Sequence, residues 1–132
     1  MALGDWYSNV HLLVRWLHVL AGIIWIGLLY FFSFVHRPIQ VSLEDRDARA
    51  IVAPMLGRAL FWMRFGATAT LVLGLALFAL IYMWSPGLGW GPTPMFRTPA
   101  GLSSRAVWIH LGMTCGVVMW FNLWFVIAPL QR

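Results

Sequence analysis

Three long stretches of the chain are almost free of charge. The first lies between Arg15 and Arg37, and residues 16–35 carry no formally charged side chain. The second follows Arg64 and stops at Trp84, where Ser85, Pro86 and Gly87 break the pattern. The third runs from Ala106 to Ala128, with Ser103 or Ser104 placed to cap its start and Pro129 to stop it. A bilayer is crossed by about 20 apolar residues. Backbone polar groups in lipid must be satisfied internally, so each stretch predicts a transmembrane helix. The expected spans are about 10–35, 60–84 and 106–128.

The segment before the second span has a different rhythm. Ala48, Ile51, Val52, Met55, Leu56, Ala59, Leu60 and Met63 recur at steps that line one face of an α-helix. Ser42, with Asp45 three residues on, resembles a capping box. This predicts an amphipathic helix over about 43–59, lying at the membrane interface, feeding the second span and kinked at Pro54. Residues 85–104 hold four Pro and four Gly and read as a connecting loop. The expected architecture is therefore all-α. Residues 1–132 form one integral membrane domain of three transmembrane helices, with an interfacial helix before the second.

Composition agrees with the pattern. Hydrophobic residues make up 61% and charged residues 10%, against about 25% charged in an ordinary soluble domain. This excludes a water-soluble globular fold, disorder and a free nucleic-acid binder. The net charge is +5, but the basic residues are all Arg and sit at the ends of apolar runs. That is a membrane-edge arrangement. Arg37, Arg46, Arg49, Arg58, Arg64 and Arg132 fall on one side of the spans, and Arg15, Arg97 and Arg105 on the other. The richer side is expected in the cytoplasm of a bacterial inner membrane, with the N-terminus outside and the C-terminus inside. A single cysteine, Cys115, excludes an intrachain disulfide and a Cys-x-x-Cys-His haem attachment.

Ionisable residues inside membrane helices mark function by default. His11, Arg15, His18, Gly22 and Trp25 follow steps of four and three along one stripe of the first span. The third span brings His110. At about 1.5 Å per residue, His18 lies roughly 4–5 Å from Arg15 along its helix and His110 roughly 7–8 Å from Arg105. Two histidines at similar depth on different helices suit the axial ligands of a b-type haem. In that reading His18 and His110 hold the metal and Arg15 pairs with an anionic group. Gly22 makes room for a flat ring and Trp25 walls the pocket. The alternatives are that both histidines are merely hydrated near the headgroups, or that one holds a chlorophyll-type pigment. Gly66, Thr70 and Gly74 on the second span, and Gly112 and Gly116 on the third, are small-residue steps that let helices approach closely. No carboxylate lies within a span, and no phosphate loop or His-Glu-x-x-His motif occurs. Catalysis by this chain alone is not expected.

The stretch from Val14 to Gly27 (VRWLHVLAGIIWIG) resembles the first helix of the urate oxidase N-terminal domain family, the membrane-type urate hydroxylase proteins. Trp108 to Gly112 (WIHLG), Met119 to Asn122 (MWFN) and Phe125 to Arg132 (FVIAPLQR) resemble a later helix of that family. Arg58 to Gly66 (RALFWMRFG) is similar to its small members. The resemblance implies a polytopic inner-membrane protein linked to oxidation and electron transport. Urate-oxidising members add a c-type cytochrome domain, for which this sequence lacks the haem attachment motif, and continue into a further helix beyond the position of Arg132. The expectation is a truncated or reduced relative. It would bind a b-type haem for electron transfer in an energy-transducing membrane. Alternatively it would serve, without a cofactor, as a scaffold subunit of a larger respiratory or photosynthetic complex. Its expected partners are the lipid bilayer and other membrane subunits.

Overall fold

The computed structural model describes residues 5–42 and 45–127, with the side chains of Gln40, Ser42 and 45–53 outside the description. Helix α1 (Trp6–Tyr30) runs through a π-helical turn, Phe31–His36, into α2 (Arg37–Ser42). Helix α3 (Asp45–Phe78) ends in a π-helical turn, Ala79–Met83, and α4 (Ser104–Phe121) in another, Asn122–Ile127. Three helices are long and apolar enough to cross a membrane: Trp6–Ile39, Pro54–Met83 and Ser104–Ile127. The three expected apolar helices are therefore present, each beginning earlier than the charge-free run suggests.

The early start of α1 has a local cause. The Asp5 carboxylate accepts a hydrogen bond from the Ser8 hydroxyl at 2.7 Å, and the Asp5 carbonyl accepts from the Asn9 amide at 3.1 Å. Asp5 thus serves the free amides of the first turn. Ser103 does the same for α4, its hydroxyl oxygen accepting from the Ala106 amide at 3.1 Å.

The amphipathic segment and the second span form one element, since α3 runs from Asp45 through Pro54 to Phe78. Leu43 and Glu44, and the side chains of Ala48, Ile51 and Val52, lie outside the description. Further along the same stripe, Leu60 and Met63 are buried. That end of the apolar face is used for packing within the chain.

The chain divides into two compact units: Val19–Thr70, and Met1–His18 with Leu71–Arg132. In the first, the buried side chains are Ala21, Trp25, Leu60, Met63 and Ala67. Here α1 and α3 come into close contact at Gly66. A Cβ at that position would stand 3.2 Å from both Ile24 Cγ2 and the Trp25 backbone nitrogen, and 3.4 Å from the Ala21 carbonyl oxygen. Glycine is required there because backbone is approached by backbone. The Thr70 hydroxyl is spent on the Gly66 carbonyl at 2.7 Å, one turn back in its own helix.

The second unit is organised around the end of α3. A helix leaves its last four carbonyls without partners, and wherever they are shielded from water each needs one. All four are met here. The Tyr7 hydroxyl donates to the Leu80 carbonyl. The Thr93 hydroxyl donates to Ile81 at 3.0 Å and the Thr93 amide to Tyr82 at 2.9 Å. The Gly91 amide donates to Met83 at 2.8 Å. Thr93 is accordingly buried, though it is polar. The connection that supplies these groups is built of two minimal antiparallel hairpins. Strand β1 (Trp84–Ser85) pairs with β2 (Gly89–Trp90), and β3 (Arg97–Thr98) with β4 (Gly101–Leu102). Gly87 in the first turn and Gly89 at the start of β2 take positive φ values of 85° and 79°, a conformation that glycine adopts without strain.

Candidate functional site

The two histidines singled out by the sequence both lie in the second unit, and both rest on α3. His18 is half-buried, and its ring lies over Gly74: a Cβ at position 74 would stand 3.0 Å from His18 Cε1. Gly74 is what lets the imidazole lie against the helix. His18 Nδ1 is buried without a hydrogen-bond partner. His110 reaches the next turn of α3, where its ring meets Phe78 edge-on at 5.3 Å between centroids. Phe96, from the connection, approaches it at 5.5 Å. His110 Nδ1 lies 2.7 Å from the Ala106 carbonyl oxygen. A carbonyl only accepts, so Nδ1 donates in this bond, and Nε2 is not spent on it. Beside this aromatic cluster, Tyr82 stacks on Phe78 at 5.4 Å, and its buried hydroxyl has no partner.

Gly22 and Trp25 belong to the other unit. Gly22 faces Thr70, whose Cγ2 would lie 4.0 Å from a Cβ there. Trp25 is buried in the Gly66 contact. In that unit both residues serve the approach of α1 to α3.

Arg15 lies elsewhere in the second unit, in a cleft of about 430 Å³. Tyr7, His11 and Arg15 come from three successive turns of α1, Trp84 from β1, Met95 from the connection and Arg105 from the first turn of α4. The Tyr7 and His11 rings are stacked at 6.3 Å, and Trp84 packs on Tyr7 at 5.0 Å. The Arg15 guanidinium lies 3.3 Å from His11 Nε2. Arg donates only, so His11 accepts as a neutral imidazole with its proton on Nδ1. Among the described residues no carboxylate lines the cleft, and neither Arg15 nor Arg105 has a carboxylate partner.

Sequence reasoning named His11 and Arg15 as one stripe but gave the cleft no other wall. Tyr7 was readable one turn earlier on that stripe. Trp84, Met95 and Arg105 were not, because only the folding of the connection brings them there. Among the described residues no group of three or more His, Cys, Asp or Glu could hold a metal, so the haem reading rests on two imidazoles. No family model, curated protein or solved structure matches this chain.

Proposed function

We propose that the chain is a multi-pass membrane subunit that holds a b-type haem through His18 and His110 and transfers electrons in an energy-transducing membrane. One observation carries the reading. Two imidazoles from different helices rest one turn apart on α3, at Gly74 and Phe78, each with a nitrogen not spent on a protein group. The donor set suits the group. His110 is held by its Nδ1 proton on the Ala106 carbonyl, the kind of outer bond that fixes a ligating ring and its tautomer. His18 carries a buried nitrogen that a polar partner would satisfy. A bound haem would supply the one-electron chemistry that these side chains lack. The chain would contribute the two ligands, the aromatic wall of Phe78 and Phe96, and exclusion of water.

The resemblance to the urate oxidase N-terminal domain family points the same way, toward oxidation and electron transport in a bacterial inner membrane. The Arg distribution favours an external N-terminus and a cytoplasmic C-terminus, with the start of α3 at the interface. A reduced-minus-oxidised absorption spectrum of the purified protein tests the haem reading, with wild type beside His18→Ala and His110→Ala. The expected result is a b-type α-band that is lost in both variants. Absence of the band from protein purified out of haem-replete membranes would overturn it, and a chlorophyll-type spectrum would replace haem by pigment.

A second reading, a cofactor-free scaffold subunit of a larger complex, is favoured by a separate observation. Nothing within 4 Å meets a Cβ at Gly112 or at Gly116. This small-residue step on α4 is unused among the described residues. Bulky side chains at both positions would abolish co-purification with a larger complex while leaving the chain folded. Retention of the complex would count against the scaffold role of that face.

A further inference from the structure

We infer that the cleft bounded by Tyr7, His11, Arg15, Trp84, Met95 and Arg105 binds an amphiphile with an anionic carboxylate or phosphate head and a short apolar body. This goes beyond the haem reading and rests on different residues, since neither His18 nor His110 lines the cleft.

The first argument is charge. Arg15 and Arg105 line one cleft from different helices, and among the described residues no carboxylate neutralises either. Arg presents a planar fork of donors matched to carboxylate and phosphate oxygens. His11 adds a third donor. Its Nε2 accepts from Arg15, so its Nδ1 carries a proton. The second argument is the wall. Ile81, Trp84, Pro86, Pro94 and Met95 make most of the cleft apolar, and ligand sites combine such surfaces with a few convergent polar groups. The third is rigidity. Tyr7 is pinned through its hydroxyl to the Leu80 carbonyl, and Thr93 holds the connection to the Ile81 and Tyr82 carbonyls. The cleft is thus formed by backbone capping that the fold needs in any case. An inorganic anion would leave the apolar wall unused, and a neutral lipid would leave the guanidiniums unused.

The ligand can come from two sources, a free single-chain amphiphile or the headgroup of an anionic phospholipid. The test is equilibrium binding of labelled decanoate to the whole chain in dodecyl maltoside, with native mass spectrometry of protein extracted from phosphatidylglycerol vesicles. Arg15→Gln and Arg105→Gln are each expected to weaken binding about tenfold, the scale of one charge-assisted hydrogen-bonded contact. Arg97→Gln, on exposed β3 and outside the cleft, should bind as wild type. Met95→Trp keeps both guanidiniums, fills the cleft and should abolish binding. Saturable decanoate binding without retained phosphatidylglycerol assigns the site to a free amphiphile. One retained phosphatidylglycerol, lost in both Arg variants, assigns it to lipid. No saturable binding of either probe, or an equal loss in Arg97→Gln, overturns the inference. The haem test is read by absorption and can fail or succeed independently.

Discussion

Helices α3 and α4 carry the same small-residue step and use it in opposite ways. On α3, Gly66 is pressed against the backbone of α1, where a Cβ would stand 3.2 Å from the Trp25 nitrogen. On α4, Gly112 and Gly116 meet nothing within 4 Å. The burial of the two spans follows the same division: 17% of the Pro54–Met83 window is inside the chain, but only 6% of the Ser104–Ile127 window. A glycine step therefore predicts close approach only where a partner helix is present. It does not say whether that partner is in the same chain. In lipid no hydrophobic force selects the partner, and packing and hydrogen bonds decide.

The sharpest way to break this comparison is Gly66→Ile. The added atoms have no free space, and overpacking against backbone costs about 1–3 kcal/mol or more. The expected outcome is a large drop in the unfolding midpoint in detergent, or loss of folded protein. A midpoint equal to wild type would show that the α1–α3 contact is not as tight as described. Next in size is Thr93→Val, which removes the hydroxyl from the Ile81 carbonyl. Leaving a buried acceptor unsatisfied costs about 1–3 kcal/mol. Thr93→Ser keeps the hydroxyl and should lose much less in the same unfolding experiment, whereas a Thr93→Val protein as stable as wild type would show that the hydroxyl contributes nothing.

Gly112→Ile and Gly116→Ile should change the stability of the isolated chain by less than about 0.5 kcal/mol, as surface substitutions do. A destabilisation as large as that of Gly66→Ile would remove the distinction between the two helices. The smallest effect concerns Asp5, whose carboxyl is held below the ordinary Asp value, first by the Ser8 hydroxyl. A lowered folded-state pKa contributes stability above the unfolded value, near pH 4, and loses it as the pH falls through the folded value. Thermal unfolding of wild type and Asp5→Asn should therefore converge at acid pH and differ slightly at neutral pH. A constant difference across that range would remove the carboxylate from the cap.

Part of the candidate site was legible in the same uneven way. His18 and His110 stand out because an ionisable residue in an apolar run needs a reason, and that signal is local. Their expected similar depth comes from counting residues from Arg15 and Arg105, and the structure rests them on neighbouring turns of α3, at Gly74 and Phe78. Gly22 and Trp25 share a stripe with His18, yet they pack at Thr70 and Gly66. A stripe records direction around one helix and not which neighbour each turn meets.

Local sequence specifies the three apolar helices, a cap at Ser103 or Ser104, the stop after Trp84 and the absence of carboxylates from the apolar runs, and the structure selects Ser103 for the cap. Each follows from forces acting within a few residues: burial of apolar runs, backbone hydrogen bonding and capping. The tertiary structure alone decided that Tyr7, Thr93 and Gly91 close the end of the second span. It alone placed Arg15 and Arg105 in one cleft, and it alone left Gly112 and Gly116 without a neighbour among the described residues. These outcomes depend on which distant groups come within a few ångströms of one another. Helical periodicity fixes the face each residue presents, and only packing fixes what that face meets.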